Sequence, residues 1–259
     1  MLRVLMLGDV FGSPGRRCLE ARLMDLRRRH QVELVVANGE NAAGGLGITP
    51  PLARELWGAG VDIITTGNHV FKQKEIIPFL DQEPNILRPA NFPPQTPGRG
   101  WQVWECASGV RVGVLNLQGL VYMDPLDCPF RTADQVLAGE LAGVKVILVD
   151  MHAEATSEKQ ALAWYLDGRV SALVGTHTHV QTADQKILPR GTAYISDLGL
   201  TGAQNSVIGL DPEAAIKRFM SRMPTRFKVS KKEPRLQGVL LEIDPESGRA
   251  QAIQRLDLG

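Results

Sequence analysis

Apolar positions recur along the chain in two registers, and the register switches repeatedly from the first residue onward. Leu2–Leu7 is a short continuous apolar run, suited to a strand buried on both faces. Ser13-Pro14 then supplies an N-cap and a first-turn proline, and Leu19, Leu23 and Leu26 follow at helical spacing before Arg27-Arg28-Arg29. Residues 33–37 predict a second strand. Thr49-Pro50 opens a second helix that ends near Gly58 or Gly60, and residues 61–66 predict a third strand. Further strands are predicted over 110–117, 144–149 and 170–174, with a helix over 157–166 between the last two. The stretch 89–100 holds four prolines and reads as a loop. Beyond Gly191 the strands shorten (192–196, 238–243, 250–255), with one more helix over 212–220.

Strands joined by helices imply a layered α/β fold with antiparallel additions towards the C-terminus. Neither an internal repeat nor a linker interrupts the pattern, so residues 1–259 are read as one domain. Composition changes this picture little: 44% hydrophobic and 22% charged residues are ordinary for a globular chain. A net charge of +1 gives no reason to invoke nucleic acid or an anionic membrane as an obligatory partner. Cys18, Cys106 and Cys128 are an odd number with no C-x-x-C pair, which argues against a disulfide framework or a thiolate zinc site and for a reducing cytoplasm. No apolar run approaches the roughly 20 residues that span a bilayer, and Gly8-Asp9 breaks the first run too early for a signal peptide.

Candidate chemistry gathers where predicted strands end. In open α/β sheets, ligands bind outside the carboxyl ends of the strands. Five such ends carry Gly8-Asp9, Asn38-Gly39-Glu40-Asn41, Gly67-Asn68-His69, Asp150-Met151-His152 and Gly175-Thr176-His177-Thr178-His179. Four of the five histidines fall there; His30, the other, closes the arginine-rich helix. One histidine alone is more often a structural residue, but four beside Asp9, Glu40 and Asn68 are hard to explain as packing. Histidines 177 and 179, placed on an extended segment, would leave the same face about 7 Å apart, within reach of one metal ion or two neighbouring ones. A nitrogen and oxygen donor set without thiolate suits Fe, Mn, Co, Zn or Ni and is too rich in imidazole for a dedicated Ca²⁺ or Mg²⁺ cage. About seven donors are too many for one ion and suit two that share a carboxylate. Such a pair about 3.5–4 Å apart clamps a phosphoryl group and brings the pKa of a bridging water near 7.

The order of these motifs resembles the calcineurin-like metallophosphoesterases, whose pattern runs Asp-x-His, Gly-Asp, Gly-Asn-His, a later His, then Gly-His-x-His. Here Phe11 replaces the first histidine, and Gly39-Glu40-Asn41 stands where Gly-Asp is usual. Both departures resemble the YmdB-like bacterial phosphodiesterase branch, over nearly the whole chain. The resemblance implies a layered β-sandwich of mixed sheets flanked by helices. It implies two divalent or trivalent transition-metal ions, iron foremost, one held by Asp9, Glu40, Asn41 and His179 and the other by Glu40, Asn68, His152 and His177. Glu40 would bridge, and His69 would give a proton to the leaving oxygen. Substrates implied are small phosphoesters, 2′,3′-cyclic nucleotides and related phosphodiesters in particular.

Other features have simpler readings. Gly44-Gly45-Leu46-Gly47 lacks the Gly-Lys-Ser/Thr of a P-loop and reads as a turn, with contact at the metal rim as the alternative. The basic stretch 228–233 reads as a solvated surface, as do Arg27–Arg29. Asp150 is either an orienter of a neighbouring ligand or strand-end packing. Trp101 and Trp104 cover apolar surface. Among rivals, a metallo-β-lactamase-type hydrolase would want His-x-His-x-Asp-His, and an amidohydrolase would carry His-x-His on the first strand, where Asp9 stands. A phosphomonoesterase of the same fold and a non-catalytic metal or nucleotide-binding regulator stay open, although His69 favours turnover; so does a homo-oligomer.

Overall fold

Alternation along each strand assigns its side chains to two different cores. The protein is described here by a computed structural model, which covers residues 1–224 and 228–259. In chain order the first half forms β1 (Leu2–Leu7), β2 (Asp9–Val10), α1 (Gly12–His30), β3 (Leu34–Asn38), α2 (Pro50–Gly58), β4 (Ile63–Thr65), α3 (Ile77–Leu80), β5 (Ile86–Leu87), β6 (Trp101–Glu105) and β7 (Arg111–Gln118). The second half forms α4 (Pro129–Ala138), β8 (Val146–His152), α5 (Thr156–Leu166), β9 (Ala172–Thr176), β10 (Lys186–Ile187), β11 (Ala193–Ile195), β12 (Leu200–Ala203), α6 (Pro212–Ser221), β13 (Pro234–Ile243) and β14 (Ala250–Leu258).

Two mixed sheets result, as the resemblance implied. One runs β2-β12-β13-β1-β3-β4-β5 with β14 on β13; the other runs β10-β11-β9-β8-β7-β6. Strands β1, β3, β4 and β5 are parallel, as are β7, β8, β9 and β11, while β13 joins β1 antiparallel. Leu2, Val4 and Met6 of β1 face Val112, Val114, Val146 and Leu148 of the other sheet in a core between the sheets. Leu5 and Leu7 point the other way, into a core shared with Leu19, Leu23, Leu26 and Leu56 of α1 and α2. Ile147, Val149 and Met151 likewise turn outward from β8 to meet Ala133, Leu162 and Leu166 of α4 and α5. Two sheets face to face between two helical layers therefore follow from period-two patterning alone.

Several local expectations change. Helix α1 starts at Gly12 with Phe11 as its N-cap and no side-chain cap bond, so Ser13 does not cap it. Both Trp101 and Trp104 lie on edge strand β6, which follows the proline loop directly; their side chains alternate into the outer and the inner core. Arg27 is half-buried and pairs with Asp62 at 2.9 Å, whereas Arg28 and Arg29 lie exposed as expected. Within 228–233, Lys228, Lys231 and Lys232 are exposed but Ser230 is buried. Among the described residues no helix is long and apolar enough to cross a membrane.

One buried ion pair ties the helical layer to the strand ends. Lys159 of α5 places Nζ 2.9 Å from Asp197 Oδ2, with both side chains at most 2% exposed. Gly175 leaves room for the lysine stem: a Cβ there would sit 2.7 Å from Lys159 Cδ and 1.9 Å from the Ser196 carbonyl oxygen. Asp197 in turn accepts the backbone N–H of Thr178 (3.1 Å) and of Gly199 (2.9 Å). Breaking one side of a buried pair leaves a carboxylate without its cation, at a cost of about 3–5 kcal/mol. Lys159→Met, which keeps the apolar stem, is therefore expected to lose stability of that size in urea unfolding; a loss under about 1 kcal/mol would contradict the pairing.

Candidate metal centre

Beneath the strand ends the inter-sheet core stops being apolar in a regular way. On five strands the last inward apolar residue (Val36, Ile63, Val114, Leu148, Val174) is followed two positions later by a buried polar one (Asn38, Thr65, Asn116, Asp150, Thr176). Asp150 connects this layer. It accepts from the hydroxyls of Thr65 and Thr176 (2.7 Å for the latter) and from Asn38 Nδ2 at 3.3 Å. Burial pushes its carboxyl up to about 6 even though these bonds and His152 act to lower it. Because Thr176 spends its hydroxyl proton on Asp150, its oxygen is left to accept from His152 Nδ1 at 2.9 Å. That chain holds Nδ1 as the donor to Thr176 and leaves Nε2 facing the cluster above, where burial acts to lower the pKa of the ring but Glu40 outweighs it and raises it.

Above this floor the predicted residues converge. His152 Nε2 lies 3.0 Å from Asn68 Oδ1, 3.2 Å from Glu40 Oε1 and 3.1 Å from His177 Nδ1. The ligand atoms of Glu40, His152 and His177 all fall within 4.8 Å of one another, as a cation site requires. Gly67 makes the approach feasible, since a Cβ there would come 2.1 Å from the His152 ring. Asp9 Oδ1 faces His179 Nε2 at 3.6 Å, and His179 Nδ1 donates to the Ile208 carbonyl at 3.0 Å. Asn41 Nδ2 donates to the Gly45 carbonyl (2.9 Å) and lies 3.2 Å from His69 Nδ1. Glu40 Oε1 sits 3.1 Å from that same nitrogen, while Oε2 accepts the His69 backbone N–H at 3.0 Å.

The His177-Thr178-His179 segment is not extended, contrary to its expected strand geometry. Strand β9 ends at Thr176, and His177 and His179 have φ of 100° and 63°. Such values are uncommon for residues with a Cβ and are found where surrounding contacts over-determine them, often at functional sites. Here the bend points the His177 N–H at Asp9 Oδ2 (3.2 Å) and the Thr178 N–H at Asp197. The folded backbone therefore brings the His177 ring beside His152 and the His179 ring beside Asp9.

Charge is concentrated and mutually compensated. Burial raises the carboxyls of Asp9 and Glu40, but neighbouring histidines overrule it and hold Asp9 below and Glu40 well below the usual range. Burial depresses His179, yet Asp9 overrides it and pushes the ring up to about 9. Burial, reinforced by His152, takes His177 down to about 4. Two buried oxygens, Asp9 Oδ1 and Asn41 Oδ1, have no hydrogen-bond partner. Orphaned buried acceptors beside imidazole rings fixed in orientation are what a cation would satisfy, so the residues fit a transition-metal centre.

A cavity of about 250 Å³ opens over the cluster, lined by Glu40, Asn41, His69, His177 and His179 together with apolar Leu46, Ile208 and Leu210. The glycine loop is a turn that also forms this rim through Gly44 and Gly45. Phe11 is a wall, not a donor: its ring meets His179 edge-on at 5.5 Å and leaves no room for a Cβ at Gly45 or Gly209. Three lining residues escaped the sequence reading. Glu154 Oε2 lies 3.1 Å from His177 Nε2, and its place two residues beyond His152, just past the end of β8, was the available signal. Ile208 and Leu210 gave none, since only the folded chain brings them to the rim.

Known proteins resemble this chain over nearly its whole length. The chain is 48% identical over 255 residues to the 2′,3′-cyclic-nucleotide 2′-phosphodiesterase of Bacillus subtilis, covering 98% of this chain and 96% of that one. It superposes with a TM-score of 0.93 on the crystal structure of a hypothetical protein from Thermus thermophilus, at 43% identity and covering 99% and 98% of the two chains. A novel phosphatase from Mycoplasma pneumoniae gives the same TM-score at 33% identity, covering 99% and 93%. The family model described as YmdB-like protein matches residues 5–256, and the chain belongs to that family.

Proposed function

We propose that the chain is a metal-dependent phosphodiesterase that opens 2′,3′-cyclic nucleotides and related phosphodiesters in the cytoplasm. One observation carries the reading: the ligand atoms of Glu40, His152 and His177 lie within 4.8 Å of one another, while two buried oxygens of neighbouring residues, Asp9 Oδ1 and Asn41 Oδ1, have no hydrogen-bond partner. Asp9, Asn41 and His179 with Glu40 would hold one transition-metal ion, and Asn68, His152 and His177 with Glu40 a second, iron or manganese being suited to this donor set. Bound there, the ions supply positive charge for the phosphoryl oxygens and a water acidified enough to act as nucleophile. The Bacillus relative's name supports a cyclic substrate cut at the 2′ oxygen.

The rest falls to this chain's own groups. Asn41 Nδ2 donates to the Gly45 carbonyl, and Glu40 Oε1, 3.1 Å from His69 Nδ1, is placed to accept an N–H from that nitrogen. A His69 imidazolium held by Glu40 in this way would present its second proton on Nε2. As water adds to phosphorus and the P–O2′ bond breaks, that proton would pass to the departing alkoxide, and the proton the water gives up would restore the ring. Protein reconstituted with Fe or Mn is expected to open 2′,3′-cyclic nucleotides and to stop on chelation; no turnover with any metal would remove the phosphodiesterase reading and leave a binding role.

His69→Ala is expected to keep its metals and lose about 10²–10⁴-fold in rate on a cyclic nucleotide but much less on a nitrophenyl phosphodiester, whose leaving group needs no proton. Equal losses on both substrates would leave His69 a positioning residue.

Cation binding also has a proton signature. His179, with its pKa pushed up to about 9, holds a proton at neutral pH that a metal on Nε2 must displace. Metal affinity should therefore fall about tenfold per pH unit for each proton displaced as pH drops from 8 to 6. Calorimetry in buffers of different ionisation enthalpy should show at least one proton released per chain at pH 7. A count of zero would remove His179 from the ligand set.

A further inference from the structure

The apolar lining of the cavity departs from local preference in one place. Val207 and Leu210 exchange both backbone hydrogen bonds at 2.9 Å, which makes Ile208-Gly209 a two-residue turn with φ of 48° and 98°. Two successive positive φ values define the turn for which Asn-Gly is the preferred pair. A β-branched residue at the first of them is an outlier. The turn nevertheless holds: Ile208 C=O accepts from His179 Nδ1, and the Gly209 N–H donates to Ser206 Oγ at 2.9 Å. The backbone bond to His179 could be made by any residue. What isoleucine adds is a side chain, and that side chain is 49% exposed at the mouth of the cavity, facing no core.

Leu46 and Leu210 line the same cavity. Most backbone groups beside them are already committed. Backbone N–H groups of Gly44, Gly45, Leu46 and Leu210 donate to Ala42, Asn41, Ala43 and Val207. Carbonyls of Gly45, Leu46 and Ile208 accept from Asn41, Gln73 and His179, and Glu154 faces His177. A phosphate on the metal centre would thus place the organic group attached to it against an apolar surface that offers few hydrogen bonds.

We infer that Ile208, Leu46 and Leu210 form the seat for the nucleoside part of the substrate, and that this seat reads size rather than base identity. The inference rests on the preceding reading that phosphate lies on the metal centre. Apolar pockets discriminate by shape, within about 10–200-fold, whereas a site that hydrogen-bonds a substrate group rejects analogues lacking it by about 10⁴–10⁵-fold. The four bases should accordingly be accepted with similar affinity, and isoleucine is kept at a turn position that suits asparagine because contact with the ligand needs it.

Calorimetric titration of the metal-loaded protein with the four nucleoside 3′-monophosphates and with inorganic phosphate tests this. All four nucleotides should bind tighter than phosphate and lie within about tenfold of one another. Ile208→Asn and Leu46→Ala should each weaken nucleotide binding by about tenfold and phosphate binding by less than about twofold. Ile208→Asn should also melt no lower than the parent, since asparagine suits the turn. Nucleotide and phosphate affinities that fall together, variants that change neither, or a preference of about 100-fold or more between adenine and guanine would overturn the seat while leaving the metal centre intact. Phosphate that fails to bind the parent protein would overturn the reading of the centre and the seat with it.

Discussion

A single buried carboxylate, Asp150, marks the boundary between the dry interior of the sandwich and the charged cluster above it. An isolated carboxylate at that depth is costly, and the fold offsets the cost by converging Thr65, Thr176 and Asn38 on it from three other strands. The same hydroxyl of Thr176 that satisfies Asp150 accepts from His152 and so decides which ring nitrogen faces Glu40 and Asn68. Sheet register, ring orientation and donor geometry are thereby one constraint. A strand shifted by one residue would turn every polar member of the floor away from the space between the sheets.

Around that floor Asp9 and His152 stand on strands, whereas Glu40, Asn41, Asn68, His177 and His179 come from segments that are neither strand nor helix. His177 and His179 are held in unusual backbone conformations by Asp9 and by the Lys159–Asp197 pair, and Asn41 is aimed by the carbonyl of Gly45. Rigid sheets supply the coordinate frame, while bent loops bring side chains to points a regular strand could not reach. The strain lies next to the chemistry, where it orients groups instead of merely weakening the fold.

Much of this was legible in the sequence because the signals were redundant. Five strand ends carried donors, and strand ends in α/β sheets lie on one rim, so Asp9, Glu40, Asn41, Asn68, His69, His152, His177 and His179 could be assembled without knowing the sheet order. The layer Asn38, Thr65, Asn116, Asp150 and Thr176 was also encoded, two residues beyond the last inward apolar position of each strand, but using that pattern requires knowing which parity faces inward. The bend at His177 was not legible: alternation suggests an extended chain, and the contacts that override it come from Asp9, 168 residues away. Ile208 likewise becomes meaningful only when the chain folds its turn against His179. Edge strand β6 carries little period-two signal because no residue along it is fully buried, whereas helix α4 was legible, with Pro129 opening it and Thr132, Ala133 and Val136 on one buried face.

Everything proposed for the site requires that its donors serve two cations with Glu40 between them. Anomalous diffraction from crystals grown with iron or manganese, collected at the metal absorption edge, addresses this directly. The account predicts two peaks about 3.5–4 Å apart, one against Asp9, Asn41 and His179, the other against Asn68, His152 and His177, with Glu40 reaching both. A single peak at full metal occupancy, or two peaks with Asn41 turned away from them, would contradict it.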